Sequence, residues 1–280
     1  LRGKVALFCE GKQDDSNDAR FYQKIFETAA FADEVLVQSL GGKEGLHAAA
    51  QGFLLGRKSY TPTIILTISD RDFDVDPIIE SSHLRPSMEI TTKMFKVRTG
   101  RSCLESYFLE PELVYTFESS TQNRFTREQI ENAFNDSLAG LAGYQASRWA
   151  LSKQLRQWFP GNVRFRTSWL NKDGDLPSDS SLAYCKNKSI EYRNCLATHF
   201  GQMVDICELS NEYFAQFSSA EFASQNGYKI WYHGKDLQAA LSAKLLNFSF
   251  QYFYDWCIDK CQLANFEDFR DVEGKIIETN

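Results

Sequence analysis

Thr63-Ile64-Ile65-Leu66-Thr67-Ile68-Ser69-Asp70-Arg71-Asp72-Phe73-Asp74 is the stretch on which the reading of this chain turns. A continuous β-branched apolar run is the pattern of a strand covered on both faces, as in a parallel sheet. This one ends in three acids, each one residue from the next. In an extended chain, alternate side chains share a face, so Asp70 and Asp72, with Asp74 the third candidate, are expected to point one way and Arg71 and Phe73 elsewhere. Hard cations such as Mg²⁺ need only a few carboxylate oxygens and keep several waters, so such a cluster predicts a metal site. A solvated acidic turn closing a core strand is the plain alternative.

Working outward, Val5-Ala6-Leu7-Phe8-Cys9 is a second short apolar run, and it too ends in an acid, Glu10, followed by Gly11. Asp14 and Asp15 follow in a polar turn, and Asp18 is the expected cap of a helix carrying Phe21, Tyr22, Ile25 and Phe26 at helical spacing. Residues 34–40 read as a strand, Gly41-Gly42 as a turn and residues 44–55 as a helix. Strand, helix, strand, helix, strand at these lengths predicts a parallel α/β sheet with helices on both faces. In such sheets ligands bind beyond the carboxyl ends of the strands, which is where Glu10 and Asp70 fall. A further strand, Met94 to Val97, precedes Leu104-Glu105-Ser106-Tyr107, which reads as the start of a short helix.

Cys9-Glu10-Gly11-Lys12, Asp70-Arg71-Asp72 and Leu104-Glu105-Ser106-Tyr107, in this order and spacing, resemble the TOPRIM domain. More narrowly, they resemble the versions in OLD-type nucleases and in the TOPRIM effectors of ATPase-paired anti-phage systems such as PARIS. The resemblance covers roughly residues 4–110 and implies a Rossmann-like sheet in a catalytic domain at 1–115, followed by a mainly helical extension at 116–280. It further implies that Glu10, Asp70 and Asp72 bind Mg²⁺ or Mn²⁺, with Glu105 an additional candidate ligand and Asp14 a looser one.

Composition narrows the function classes. At 280 residues, 43% hydrophobic and 24% charged, with a mean hydropathy of -0.40, the chain is expected to be globular and soluble. No signal peptide or apolar run of bilayer length is evident, so a cytoplasmic chain with no membrane partner is expected; it opens on Leu1, which leaves residues ahead of it open. The net charge of -6 argues against nucleic-acid binding by overall charge but permits a local basic groove. Seven scattered cysteines without a Cys-x-x-Cys pair predict reduced thiols. Among four histidines, none has an evident partner for a nucleophile relay.

Residues beyond 116 read as largely helical. Thr126 caps a helix through Ile130, Phe134 and Leu138, which Gly140 and Gly143 are expected to interrupt. From 137 to 172 there is no acid, and Arg148, Lys153, Arg156, Arg164 and Arg166 alternate with Trp149, Trp158, Phe159, Phe165 and Trp169. Cations for phosphate and rings for unpaired bases make these five basic residues candidates for nucleic-acid contact, with burial of the rings in a core as the alternative. Residues 190–200 and 204–222 read as helices, 228–232 as a strand, and Gly234-Lys235-Asp236 as the start of a long helix through Phe253. The resemblance makes Lys235 a candidate for contacting the scissile phosphate; a surface lysine at a helix start is the plain reading. The acidic tail from Glu267 is expected to be peripheral.

The resemblance therefore implies a divalent-metal-dependent nuclease, a toxic anti-phage effector acting on RNA, with tRNA foremost, under control of a partner ABC-type ATPase. DNA cleavage of the OLD type is the first alternative. A non-catalytic binding subunit with a structural ion is the second. A homodimer is compatible with the aromatic-rich helical half.

Overall fold

Four parallel strands and one antiparallel strand form the sheet that positions the acids. The structure is a computed structural model and describes residues 5–11, 16–30, 35–43, 45–56, 62, 64–80, 83–91, 94–121, 123–158, 179–197 and 205–279. The strands are β1 (Val5–Cys9), β2 (Val35–Ser39), β3 (Ile64–Ser69), the hairpin β4 (Ile78–Glu80) and β5 (His83–Arg85), β6 (Ser87–Thr91) and β7 (Met94–Arg98). The main sheet runs in the order β2-β1-β3-β7-β6, with β6 alone antiparallel. This is an α/β N-terminal region followed by a largely helical one. All five β1 residues are buried, as a strand covered on both faces must be.

Helices α1 (Asn17–Phe26) and α2 (Leu46–Gly56) connect the first three strands. Leu46 and Ala50 of α2 form a core with Ala6 and Phe8 of β1, which share one face by strand alternation. The α1 cap is Ser16, not Asp18: the Ser16 side chain accepts from the Ala19 N–H, and Asp18 lies within the first turn.

The chain divides into two compact units. The first comprises residues 1–71, 77–104 and 250–280, and the second 72–76 and 105–249. The first therefore includes α10 (Phe250–Lys260) and α11 (Glu267–Thr279). The acidic tail expected to be peripheral is α11, which buries Phe269, Val272 and Ile276. Phe269 meets Phe21, Tyr22 and Phe26 of α1 edge to face, and buried Asp268 accepts from the Gly100 N–H at 3.0 Å. Apart from Asp268, the charges of Glu267, Arg270, Lys275 and Glu278 stay exposed while a three-to-four-residue apolar stripe faces inward.

The second unit is built on α4 (Arg127–Trp158), with α3 (Pro111–Thr121), α5 (Leu182–Ala197), α6 (Ile206–Phe217) and α9 (Gly234–Lys244) packed against it. Residues 141–152 of α4 are buried around the whole circumference, which makes it the axis of the unit. Gly140 and Gly143 do not interrupt it: a helical glycine costs about 1 kcal/mol relative to alanine, little beside such burial.

Three other expectations differ. The helix expected over 204–222 is α6 followed by α7 (Ala220–Ser224), split where Ser219 caps the second piece. Residues expected as a strand at 228–232 form α8 (Tyr228–Trp231), in which the Tyr232 N–H returns to the Tyr228 carbonyl; five residues are too few for periodicity to separate the two states. The helix from Gly234 stops at Lys244, and the left-handed Asn247 (φ +68°) separates it from α10. Among the described residues no helix is long and apolar enough to cross a membrane.

Candidate functional site

The first unit brings Glu10 and Asp70 together. Parallel registry pairs Cys9 with Ile68, so the next residues of β1 and β3 leave the sheet side by side. The Asp70 backbone N–H donates to Glu10 Oε1 at 3.0 Å, across 60 residues of sequence. β1 and β3 are also where the strand order reverses, since the chain leaves β1 towards β2 and returns past it to β3. Such switch points open a crevice at the carboxyl edge of a sheet.

The turn behind Glu10 is held closely. Gly11 has φ +122°, a region open to glycine, and exchanges two backbone hydrogen bonds with Gly41 at 3.0 and 2.6 Å. A Cβ on Gly11 would lie 2.3 Å from Ser16 Oγ and 2.8 Å from Ser39 Oγ. Ser39 Oγ in turn donates to the Glu10 carbonyl at 3.3 Å. Cys9, just inside, is no nucleophile: burial pushes its thiol up to about 12, and the negative charges of Asp18, Glu10 and Asp70 push the same way against a hydrogen bond with Ser39. Arg71 turns inward, as alternation predicts. Its backbone N–H donates to Thr99 Oγ1 and its Nε to the Gly100 carbonyl at 2.9 Å.

Asp72 does not continue the alternation. The strand ends at Ser69, and Asp72 takes a left-handed backbone, φ +48°, so the extended-chain argument for a shared face with Asp70 stops short of it. Within the second unit, Asp72 Oδ1 lies 3.2 Å from His233 Nε2. The Phe73 ring lies parallel to the His233 imidazole at a tilt of 13° and a centroid distance of 5.8 Å. The Arg148 guanidinium covers Phe73 at 4.1 Å, Trp149 meets it edge on, and Ser152 Oγ donates to its carbonyl. Arg148 is itself paired with Asp236, which also accepts from Gln145 Nε2 at 2.7 Å, and Gln145 Oε1 accepts from the His233 N–H. The Asp72-Phe73 turn is thus gripped by α4 and the first turn of α9.

Glu105 joins the same unit. It sits in a 3₁₀ turn, Leu104–Tyr107, so close to α9 that a Cβ on Gly234 would lie 2.5 Å from the Ser106 nitrogen and 2.9 Å from Glu105 Cβ. Glu105 Oε2 is buried with no hydrogen-bond partner among the described residues, and Lys235 lies exposed in the adjacent helical turn. The donors are therefore gathered as Glu10 with Asp70 in one unit and Asp72 near His233, with Glu105 against α9, in the other. Among the described residues, no group of three or more His, Cys, Asp and Glu side chains is placed to hold an ion by itself.

The basic candidates fare differently. Arg148 is buried in its pair with Asp236 and packed on Phe73, which places it in the interior instead of on a nucleic-acid surface. Trp149 is likewise core: fully buried, with Nε1 donating to the Trp231 carbonyl at 2.8 Å. Lys153 is half-buried over the Tyr213 ring, and Arg156 pairs with Asp76 at 2.7 Å. Asp14, Arg164 and Arg166 lie outside the described residues.

His233 is the residue that sequence reasoning missed. It stands directly before the Gly234-Lys235-Asp236 element, and that adjacency was the only signal available for it. No protein-family model matches the chain, and no curated protein matches it.

Proposed function

We propose that this chain is a divalent-metal-dependent nuclease that hydrolyses phosphodiester bonds at the carboxyl edge of a TOPRIM-like sheet. The observation that carries the reading is the hydrogen bond from the Asp70 backbone N–H to Glu10 Oε1, which joins two acid-bearing strand ends, 60 residues apart, at the switch point of the sheet. The covalent chain itself keeps the α carbons of Asp70 and Asp72 within about 7 Å of each other.

On the family resemblance, Glu10, Asp70 and Asp72, with Glu105, are the residues that would hold Mg²⁺ or Mn²⁺, which when bound supplies Lewis-acid polarisation of the phosphate and a more acidic water. The chain's own contribution is placement. Gly11, Ser16 and Ser39 lock the turn that carries Glu10, and the Glu10 side chain is tied to the backbone of Asp70. The family resemblance makes Lys235, exposed in the first turn of α9, the residue that would neutralise charge developing on a phosphate oxygen. RNA as substrate, tRNA first, and control by an ABC-type ATPase rest on the family resemblance alone.

The test is cleavage of labelled tRNA, single-stranded RNA and duplex DNA by the full chain with Mg²⁺ or Mn²⁺. Glu10→Ala and Asp72→Ala are expected to lose at least about 100-fold in rate, about 2.7 kcal/mol of barrier. Expression of the wild type is expected to arrest cell growth, and that of Glu10→Ala is not. Equal cleavage by all three folded proteins would remove the reading.

A further inference from the structure

We infer that His233 is a positioning residue for the proposed ion centre: it holds the Asp72 carboxylate in one orientation. The inference rests on Asp72 acting as a ligand, as in the proposed function.

The geometry fixes which ring nitrogen acts. Nε2 lies 3.2 Å from Asp72 Oδ1, while Nδ1 is buried with no hydrogen-bond partner among the described residues. A proton on Nδ1 would leave a buried donor unpaired and set a bare nitrogen against a carboxylate; a proton on Nε2 avoids both. His233 Nε2 is therefore the donor and Asp72 Oδ1 the acceptor.

The ring is fixed independently of that bond. One face stacks on Phe73, which is itself held by the Arg148 guanidinium, the Trp149 edge and the Ser152 hydroxyl. The His233 backbone N–H is taken by Gln145 Oε1 at 3.2 Å. His233 also occupies the N-cap position of α9 and makes no side-chain cap hydrogen bond there. Ser, Asp or Asn would serve the helix better, so the side chain's work lies with Asp72 and not with α9. A hydrogen-bonded ligand carboxylate is the general means by which a surrounding shell tunes an ion site.

The probe is Mn²⁺ binding to the full chain, followed at one pH by loss of the free-ion electron paramagnetic resonance signal. His233→Ala is expected to weaken binding by about 10–100-fold, and His233→Gln, whose side-chain amide reaches the position of Nε2, to restore it to within about threefold. Circular dichroism verifies that each variant is folded. If His233→Ala does not fold, His233→Gln alone decides: near-native affinity supports the role, and a loss as large as that of Asp72→Ala overturns it. Wild-type affinity in His233→Ala, where Asp72→Ala has lost it, also overturns the role while leaving the proposed function standing. Wild-type affinity in both Asp72→Ala and Glu10→Ala removes the ion centre and the inference with it. Nitrogen coupling of directly bound imidazole in the pulsed spectrum would make His233 a ligand and overturn the positioning role.

Discussion

Gly140 and Gly143 lie three residues apart in one helix, and replacing each with alanine is expected to change stability unequally. Alanine gains about 1 kcal/mol over glycine in a helix interior, and that gain is common to both variants. A Cβ at Gly140 meets nothing within 4 Å. At Gly143 it would lie 2.6 Å from the Leu182 nitrogen, 2.8 Å from Leu182 Cα and 3.0 Å from the Ser180 carbonyl oxygen. These are backbone atoms that cannot rotate away, so the start of α5 must retreat by 3.4 − 2.6, about 0.8 Å, to reach ordinary contact. Overpacking of this kind costs about 1–3 kcal/mol. Because the propensity gain cancels, the difference between the variants isolates that cost. Gly140→Ala is expected to be stabilised by about 1 kcal/mol, and Gly143→Ala to fall about 1–3 kcal/mol below it. Urea denaturation followed by far-ultraviolet circular dichroism measures both. If Gly143→Ala is as stable as Gly140→Ala, α4 and the start of α5 are not packed as described.

Two further outcomes test the first unit. Phe269→Ala is expected to lose about 3–5 kcal/mol, since the ring is fully buried among Phe21, Tyr22 and Phe26; a loss below about 0.5 kcal/mol in urea would return α11 to the periphery. The Cys9 thiol is raised from 9.0 to about 12, chiefly by burial, so the folded chain keeps a proton that the unfolded chain releases. Its contribution is complete below about pH 9 and is lost as pH rises towards 12, so the urea midpoint is expected to fall across that window less steeply in Cys9→Ala than in the wild type. Iodoacetamide labelling of folded Cys9 at pH 8 as fast as that of the less buried Cys207 would contradict this.

The β1 and β3 strands were legible because a strand covered on both faces must be apolar throughout, a requirement local enough to read from five or six residues. The meeting of Glu10 with Asp70 follows from that reading, since adjacent parallel strands in register end together. Asp72 was only half legible: its residue type marked the candidate site, but the turn at φ +48° that takes it out of alternation stands beside Phe73, which packs against α4 over a long sequence separation. Arg148 misled for a related reason. Its charge is balanced by Asp236, 88 residues away, and pairing over that distance leaves no periodic trace. In α11 the stripe of Phe269, Val272 and Ile276 was present, but the surrounding acids drew the reading away from it.

Helix α1 takes its cover from a helix made much later in the chain. Phe21, Tyr22 and Phe26 leave the ribosome early, whereas Phe269, the ring that covers them, follows about 240 residues later, roughly 12–50 s at usual rates of synthesis. The α1 aromatics lack that ring over the interval, so a nascent chain stalled before α11 carries the acids of the proposed centre on an unfinished scaffold.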